Sequence, residues 1–170
     1  MAIDLLTDEY WEGTLERYYH HELESFIWVI VFVFLLYQDG KRQSNTYATP
    51  WMTSNYNTCR KEKRDFYSNI VYGAQAQKDY AALWPLARRL CSSLTILPTL
   101  TSRRFWANMS PSASWIEDSK DMWDIFISTL DSFVMQDIGR EFSDQVQRLK
   151  SYKPDFEGHA WGREGKKYSS

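Results

Sequence analysis

Twelve consecutive apolar or aromatic residues, Phe26 to Tyr37 (FIWVIVFVFLLY), constrain this chain more than any other feature. A run with no polar position at either a helical or a strand period asks to be covered on every side. It is shorter than the roughly 20 residues that cross a bilayer, and its flanks, HHELE and QDGKR, are polar. The residues ahead of it carry Asp8, Glu9, Glu12, Glu16, Glu22 and Glu24 instead of the basic region of a signal peptide. The expectation is therefore a fully buried core element, with an interfacial membrane helix as the competing reading. Its β-branched residues would also suit a strand. The polar lead-in from His20 favours one helix over 20–37, about five turns long. Glu22 and Glu24 suit the positive N-terminal end of such a helix, and Asp39-Gly40 is expected to end it.

Aromatic residues make up 16% of the 170 residues, against only 7 Gly and 5 Pro. That composition excludes collagen-like, linker and Pro-rich classes, and it supplies enough apolar surface to offset the entropy of ordering one domain. Either the core is unusually aromatic, or part of the aromatic surface meets something else. The net charge of −2 gives no electrostatic footprint for nucleic acid or an anionic membrane. Cys59 and Cys91 are too few for a disulfide framework or a four-ligand zinc site and are expected to be free thiols. With no leader visible, the expected location is intracellular.

The rest of the chain reads as mainly α. Thr7–Tyr19 is a loop with one helical turn. Residues 38–60, rich in Ser, Asn, Thr and Gln, are a polar loop or insertion containing Pro50 and Trp51. Arg60–Val71 is a charged helix face with Phe66, Ile70 and Val71 turned inward; a phosphate-binding patch is the competing reading, interrupted by Glu62 and Asp65. Leu83, Leu86, Leu90 and Leu94 repeat at helical spacing, and Pro85 must begin or kink that helix. Ser114 to Glu117 has the form of a capping box, followed by Trp123, Phe126, Leu130, Phe133 and Val134 at helical spacing. Gly139 breaks that helix, and Phe142, Val146 and Leu149 form the stripe of the next. Residues 151–170 read as a flexible tail. No internal repeat and no dependable hairpin signal is visible.

Chemistry-bearing motifs are sparse. His20 and Glu24 share a helix face at i, i+4, but the phrase is not H-E-x-x-H and lacks a third ligand, so a helix start is the simpler reading. There is no G-x-S-x-G, and neither cysteine sits in a Cys/His context. His159 falls in the tail. Asn108-Met109-Ser110 fits a glycosylation acceptor only by pattern. Asp155-Phe156-Glu157-Gly158 departs from D-F-G by the intruding glutamate.

Two phrases carry a resemblance. Met1-Ala2-Ile3-Asp4-Leu5-Leu6, followed by Tyr19-His20-His21-Glu22-Leu23-Glu24-Ser25-Phe26, resembles the fungal-type protein kinase-like family. There an activation segment ends in a phrase like F-M-A/S-x-x-L-L, and H-D-L-E-S-F-F opens the central hydrophobic helix of the C-terminal lobe. By this resemblance Ala2, Ile3 and Asp4 stand where other kinases have A-P-E. The run of Glu22, Leu23, Glu24, Ser25 and Phe26, with His21 before it, stands where they have D-x-W-S-F. Glu22 occupies the position of an aspartate that anchors the catalytic-loop backbone. Asp4 occupies that of a glutamate paired with an arginine later in the lobe, for which Arg103 and Arg104 are the candidates. YAALWPLARRL and MWDIFISTL look like the family's later helices. The specific motifs cover about the first 37 residues.

The resemblance implies a helical bundle built about helix 20–37, forming the C-terminal lobe portion of a kinase-like domain over 1–150. It implies a chain that begins inside an activation segment, as a truncated gene product or a remnant. The family's ATP and Mg are held by a Gly-rich loop, a β3 lysine, H-R-D-x-x-x-x-N and D-F-G, none of which is spelled here. No cofactor, no metal and no phosphotransferase activity are therefore expected of the chain by itself. The implied partner is the missing lobe or another protein. The alternatives are a non-catalytic protein-interaction module and a peripheral membrane protein that uses the 26–37 run.

Overall fold

The computed structural model describes residues 1–3, 5–13, 19–94, 111–134 and 143–151. They are mainly helical. In chain order the α-helices are α1 (Asp8–Trp11), α2 (Tyr19–Leu36), α3 (Tyr56–Asp65), α4 (Trp84–Ser93), α5 (Pro111–Val134) and α6 (Ser143–Ser151). Helix α2 contacts both α4 and α5; those two also contact each other, and α6 packs on α5.

The apolar run forms the expected helix, 18 residues from Tyr19 to Leu36, close to 27 Å at ~1.5 Å per residue. Its buried residues recur every three or four positions: His20, Leu23 and Glu24, Ile27 and Trp28, Val31, Leu35. Full enclosure does not occur. Phe26 is 52% exposed and Val29 54%, because the neighbouring elements cover one side of the helix and leave a stripe on the other. Among the described residues this is also the one helix long and apolar enough to cross a membrane, yet half of it is buried in the protein.

The core answers the question the aromatic content raised. Trp28, Trp51 and Phe66 form an edge-to-face cluster, with Trp28–Trp51 centroids 5.2 Å apart and Trp51–Phe66 5.1 Å, a geometry that aromatic quadrupoles favour. The three come from α2, from a 3₁₀ turn at Thr49–Trp51, and from a π-turn at Phe66–Ile70. The π-turn closes with Val71 N–H donating to the Phe66 carbonyl at 2.8 Å, and both Phe66 and Val71 are buried.

Segment 38–60 is ordered by this cluster and is more structured than a polar loop. Tyr37–Gln38 pairs antiparallel with Lys41–Arg42 in a small hairpin. Asp39 (φ 50°) and Gly40 (φ 68°) form its turn, so the Asp-Gly pair reverses the chain instead of capping α2. Two left-handed central residues match strand twist, and Asp-Gly is a strong hairpin signal. The C-terminal carbonyls of α2 are met from a distance: Gln77 donates its backbone N–H to the Phe34 carbonyl and its side-chain amide to the Leu35 carbonyl, each at 2.8 Å.

Helix α3 is capped by Asn55, which accepts from Thr58 N–H at 2.9 Å. Helix α4 begins with Pro85 in its first turn, as expected, and buries Trp84, Ala87, Leu90 and Cys91. Helix α5 begins at Pro111, so Ser114 lies within the helix and does not cap it. Its inward face is Ser119, Met122, Phe126 and Phe133. On α6 Val146 is buried and Leu149 is 38% exposed. Gly139, Phe142, the tail beyond Ser151, Asn108 and the Asp155 phrase lie outside the described residues.

Candidate functional site

The two sequence phrases come together at the start of α2. Glu24 points inward on the same face as Trp28, one turn on. Its Oε1 accepts the backbone N–H of Ile3 at 2.7 Å and the indole N–H of Trp28 at 3.0 Å. Ala2, Ile3, Leu5 and Leu6 are buried beside it, and Leu6 N–H closes a turn onto the Ile3 carbonyl at 3.1 Å. A buried carboxylate is costly unless its oxygens are satisfied, and here an apolar segment supplies a main-chain donor to one of them.

Lys63 completes the cluster from α3. Its ammonium donates to the Met1 carbonyl at 2.9 Å and lies 5.1 Å from the centre of the Trp28 ring. Burial pushes the Lys63 pKa down, and the neighbouring Cys59 and Glu24 work in the opposite direction. The charged face expected over 60–71 thus has one buried lysine. The spacing Cys59, Lys63, Phe66 places it on the inward stripe of α3, a signal that the run of charges around it conceals.

A second junction lies one turn earlier. The Ser119 hydroxyl on α5 sits 3.3 Å from the backbone N of His20, which donates to it, and 3.2 Å from His20 Nδ1. The His20 and His21 rings pack at 4.1 Å. Burial, and after it the neighbouring His21, holds the His20 pKa well below its usual value.

The residues singled out from the sequence divide as follows. Ala2, Ile3, His21, Leu23 and Glu24 are buried, while Glu22 and Ser25 are half-buried. Among the described residues the Ser25 hydroxyl has no hydrogen-bond partner. Phe26 is exposed and meets Phe126 edge-on at 6.2 Å. Glu24 grips the Ile3 backbone N–H; the resemblance gives a backbone-anchoring role to Glu22, two residues earlier on another face of the helix. Asp4, Arg103 and Arg104 lie outside the described residues, and the pairing expected of them with it. Sequence reasoning missed Lys63 and Ser119 as members of the site.

Chemically the cluster is a clamp. Cys59 and Cys91 are buried free thiols, and burial, with Glu24 nearby, pushes Cys91 up to about 12, which removes thiolate reactivity near neutral pH. Among the described residues no three His, Cys, Asp or Glu side chains are gathered to hold a metal ion, so His20 and Glu24 gain no third ligand. No protein-family model, curated protein or solved structure matches the chain.

Proposed function

We propose that this chain is the C-terminal lobe portion of a fungal-type protein kinase-like domain, serving as a non-catalytic scaffold. The observation that supports this most directly is the hydrogen bond from Ile3 N–H to Glu24 at 2.7 Å. It joins the two phrases, MAIDLL and HHELESF, on which the resemblance rests. In the family a carboxylate at the start of the central apolar helix likewise holds backbone, there that of the catalytic loop; here the backbone held is that of the first phrase. On this reading the domain spans 1–150, works inside the cell, and meets either a nucleotide-binding lobe or another protein. The reading expects no Mg·ATP binding by this chain alone, since the Gly-rich loop, H-R-D-x-x-x-x-N and D-F-G that hold it in the family are not spelled in the sequence.

The test is the genomic and transcript sequence on the 5′ side of the Met1 codon. The lobe reading expects Gly-rich-loop, H-x-D and D-F-G coding sequence there, in frame or interrupted by stop codons. An upstream region with no trace of these motifs in any frame overturns it. A companion measurement is ADP release by the purified chain with Mg·ATP, for which none is expected.

A non-catalytic interaction module is favoured by one observation of its own, the uncovered Phe26 and Val29 stripe of α2, since exposed apolar surface of this kind marks contact sites. Light scattering after size exclusion separates a self-associating chain from a dilution-resistant monomer. Co-sedimentation with vesicles tests the same stripe against a lipid surface.

A further inference from the structure

We propose that the groove between α4 and α5 binds a phosphate monoester. The groove has a volume of about 620 Å³. Arg88, Arg89 and Ser92 line one wall, and Ser128, Thr129 and Ser132 the other, with no Asp or Glu among its lining residues. Tyr72 stands at the rim, 69% exposed.

The charge on this surface is unspent. Among the described residues neither Arg88 nor Arg89 is paired with a carboxylate. Arg88 uses one Nη1–H on the Tyr72 carbonyl at 3.3 Å, which ties one corner of its guanidinium to the rim. A guanidinium carries five donors, so most of the fork remains available. Two guanidinium groups match the charge of a phosphate dianion, and the planar fork grips its oxygens in pairs. A carboxylate ligand would offer one charge and two oxygens, and would leave the opposite wall without a counterpart.

That opposite wall supplies adjustable donors. At rest each hydroxyl points back to its own helix: Ser128 and Thr129 donate to the Ile125 carbonyl at 3.0 and 2.7 Å, and Ser132 to the Ser128 carbonyl at 2.8 Å. Ser92 does the same to the Arg88 carbonyl at 2.8 Å. Those carbonyls also serve the helix ladder, so a hydroxyl can turn to a ligand oxygen without leaving a buried acceptor unmet. Tyr72 hydroxyl lies 3.1 Å from Ser92 Oγ, so turning either proton carries the network to the rim. The volume exceeds a lone phosphate group and admits the body that bears it. This inference is argued from charge and hydroxyl placement and does not require the kinase-lobe reading, although Arg88, Arg89, Ser128 and Thr129 lie in the two later phrases that look like that family's helices.

The test is calorimetric titration of the whole chain with O-phosphoserine, with a phosphoserine peptide and with the same peptide unphosphorylated. Binding of either phosphorylated probe, absent for the unphosphorylated peptide, is expected. A tighter peptide assigns the source to a phosphoprotein, and equal affinities assign it to a small phosphate ester. Arg89→Gln, on the exposed side of α4, is expected to weaken binding by about tenfold through loss of one charge-assisted hydrogen bond. Lys78→Gln, exposed and outside the groove, should leave affinity unchanged. Thr129→Val tests the opposite wall independently of the arginines and should also weaken binding. Equal binding of the unphosphorylated peptide, no binding of any probe at millimolar concentration, or unaltered affinity in folded Arg89→Gln protein overturns the proposal.

Discussion

Replacing Glu24 by alanine should be among the most damaging single changes available to this protein. The substitution strips the acceptor from two buried donors, the Ile3 N–H at 2.7 Å and the Trp28 indole N–H at 3.0 Å. Each buried donor left without a partner costs about 1–3 kcal/mol. It also leaves Lys63 without the carboxylate that favours its charged form. The two stranded donors together put the expected loss at about 2–6 kcal/mol, a large share of the roughly 5–15 kcal/mol that holds a domain together. In urea, with a slope of about 2 kcal/mol per molar, the midpoint should fall by about 2 M. Glu24→Gln keeps one acceptor oxygen and should cost less. Adding Lys63→Met to Glu24→Gln should recover part of the loss, because the second change removes the stranded charge. Hydrogen exchange locates the effect: the Ile3 amide should lose protection in Glu24→Ala protein while amides in α4 keep theirs under native conditions. An unchanged midpoint, or an Ile3 amide exchanging at the wild-type rate, refutes the clamp.

Further expectations concern the other junctions. Because the folded protein holds the His20 pKa below the model-compound value of 6.5, its unfolded chain binds the proton first. Stability is complete above that value and falls as pH drops below it, by up to about 1.4 kcal/mol per pH unit until the folded pKa is reached. Melting temperature against pH for wild type and His20→Gln should converge in acid; parallel curves would show that His20 does not contribute. Gly40→Ala forces a methyl group onto a backbone at φ 68° and should cost about 1–2 kcal/mol, whereas Asp39→Asn, which keeps a residue tolerant of that region, should be close to neutral by thermal melt. With Cys59 replaced by Ser, the remaining Cys91 thiol, raised to about 12, should react with a disulfide reagent no faster than the protein opens; rapid labelling in native buffer would contradict its burial.

The site shows why some of this was readable in one dimension and some was not. That Glu24 belongs to a buried helix start follows from its place before an apolar run. That it holds Ile3 does not, since the two residues are 21 positions apart and hydrogen-bond partners at such separations leave no local period. Lys63 was hidden for a different reason: a lone lysine among charges is ordinarily solvated, and only the aromatic face of Trp28 and the Met1 carbonyl give it a buried place. The Asp39-Gly40 pair was read as a helix stop and the hairpin went unseen, because a turn there depends on Lys41–Arg42 pairing with Tyr37–Gln38.

The sequence by itself determined that the chain is mainly helical, favoured a helix over a strand for its longest apolar run, and required Pro85 to begin or kink another. These follow from side-chain spacing and backbone geometry, which act over a few residues. Tertiary structure decided which sides of α2 are covered, that Trp28, Trp51 and Phe66 meet, and that Glu24 and Lys63 share one clamp with the segment at Met1–Leu6. Those outcomes depend on contacts between elements far apart in the chain, where packing and the need to satisfy buried charge choose among arrangements that local preference leaves equal.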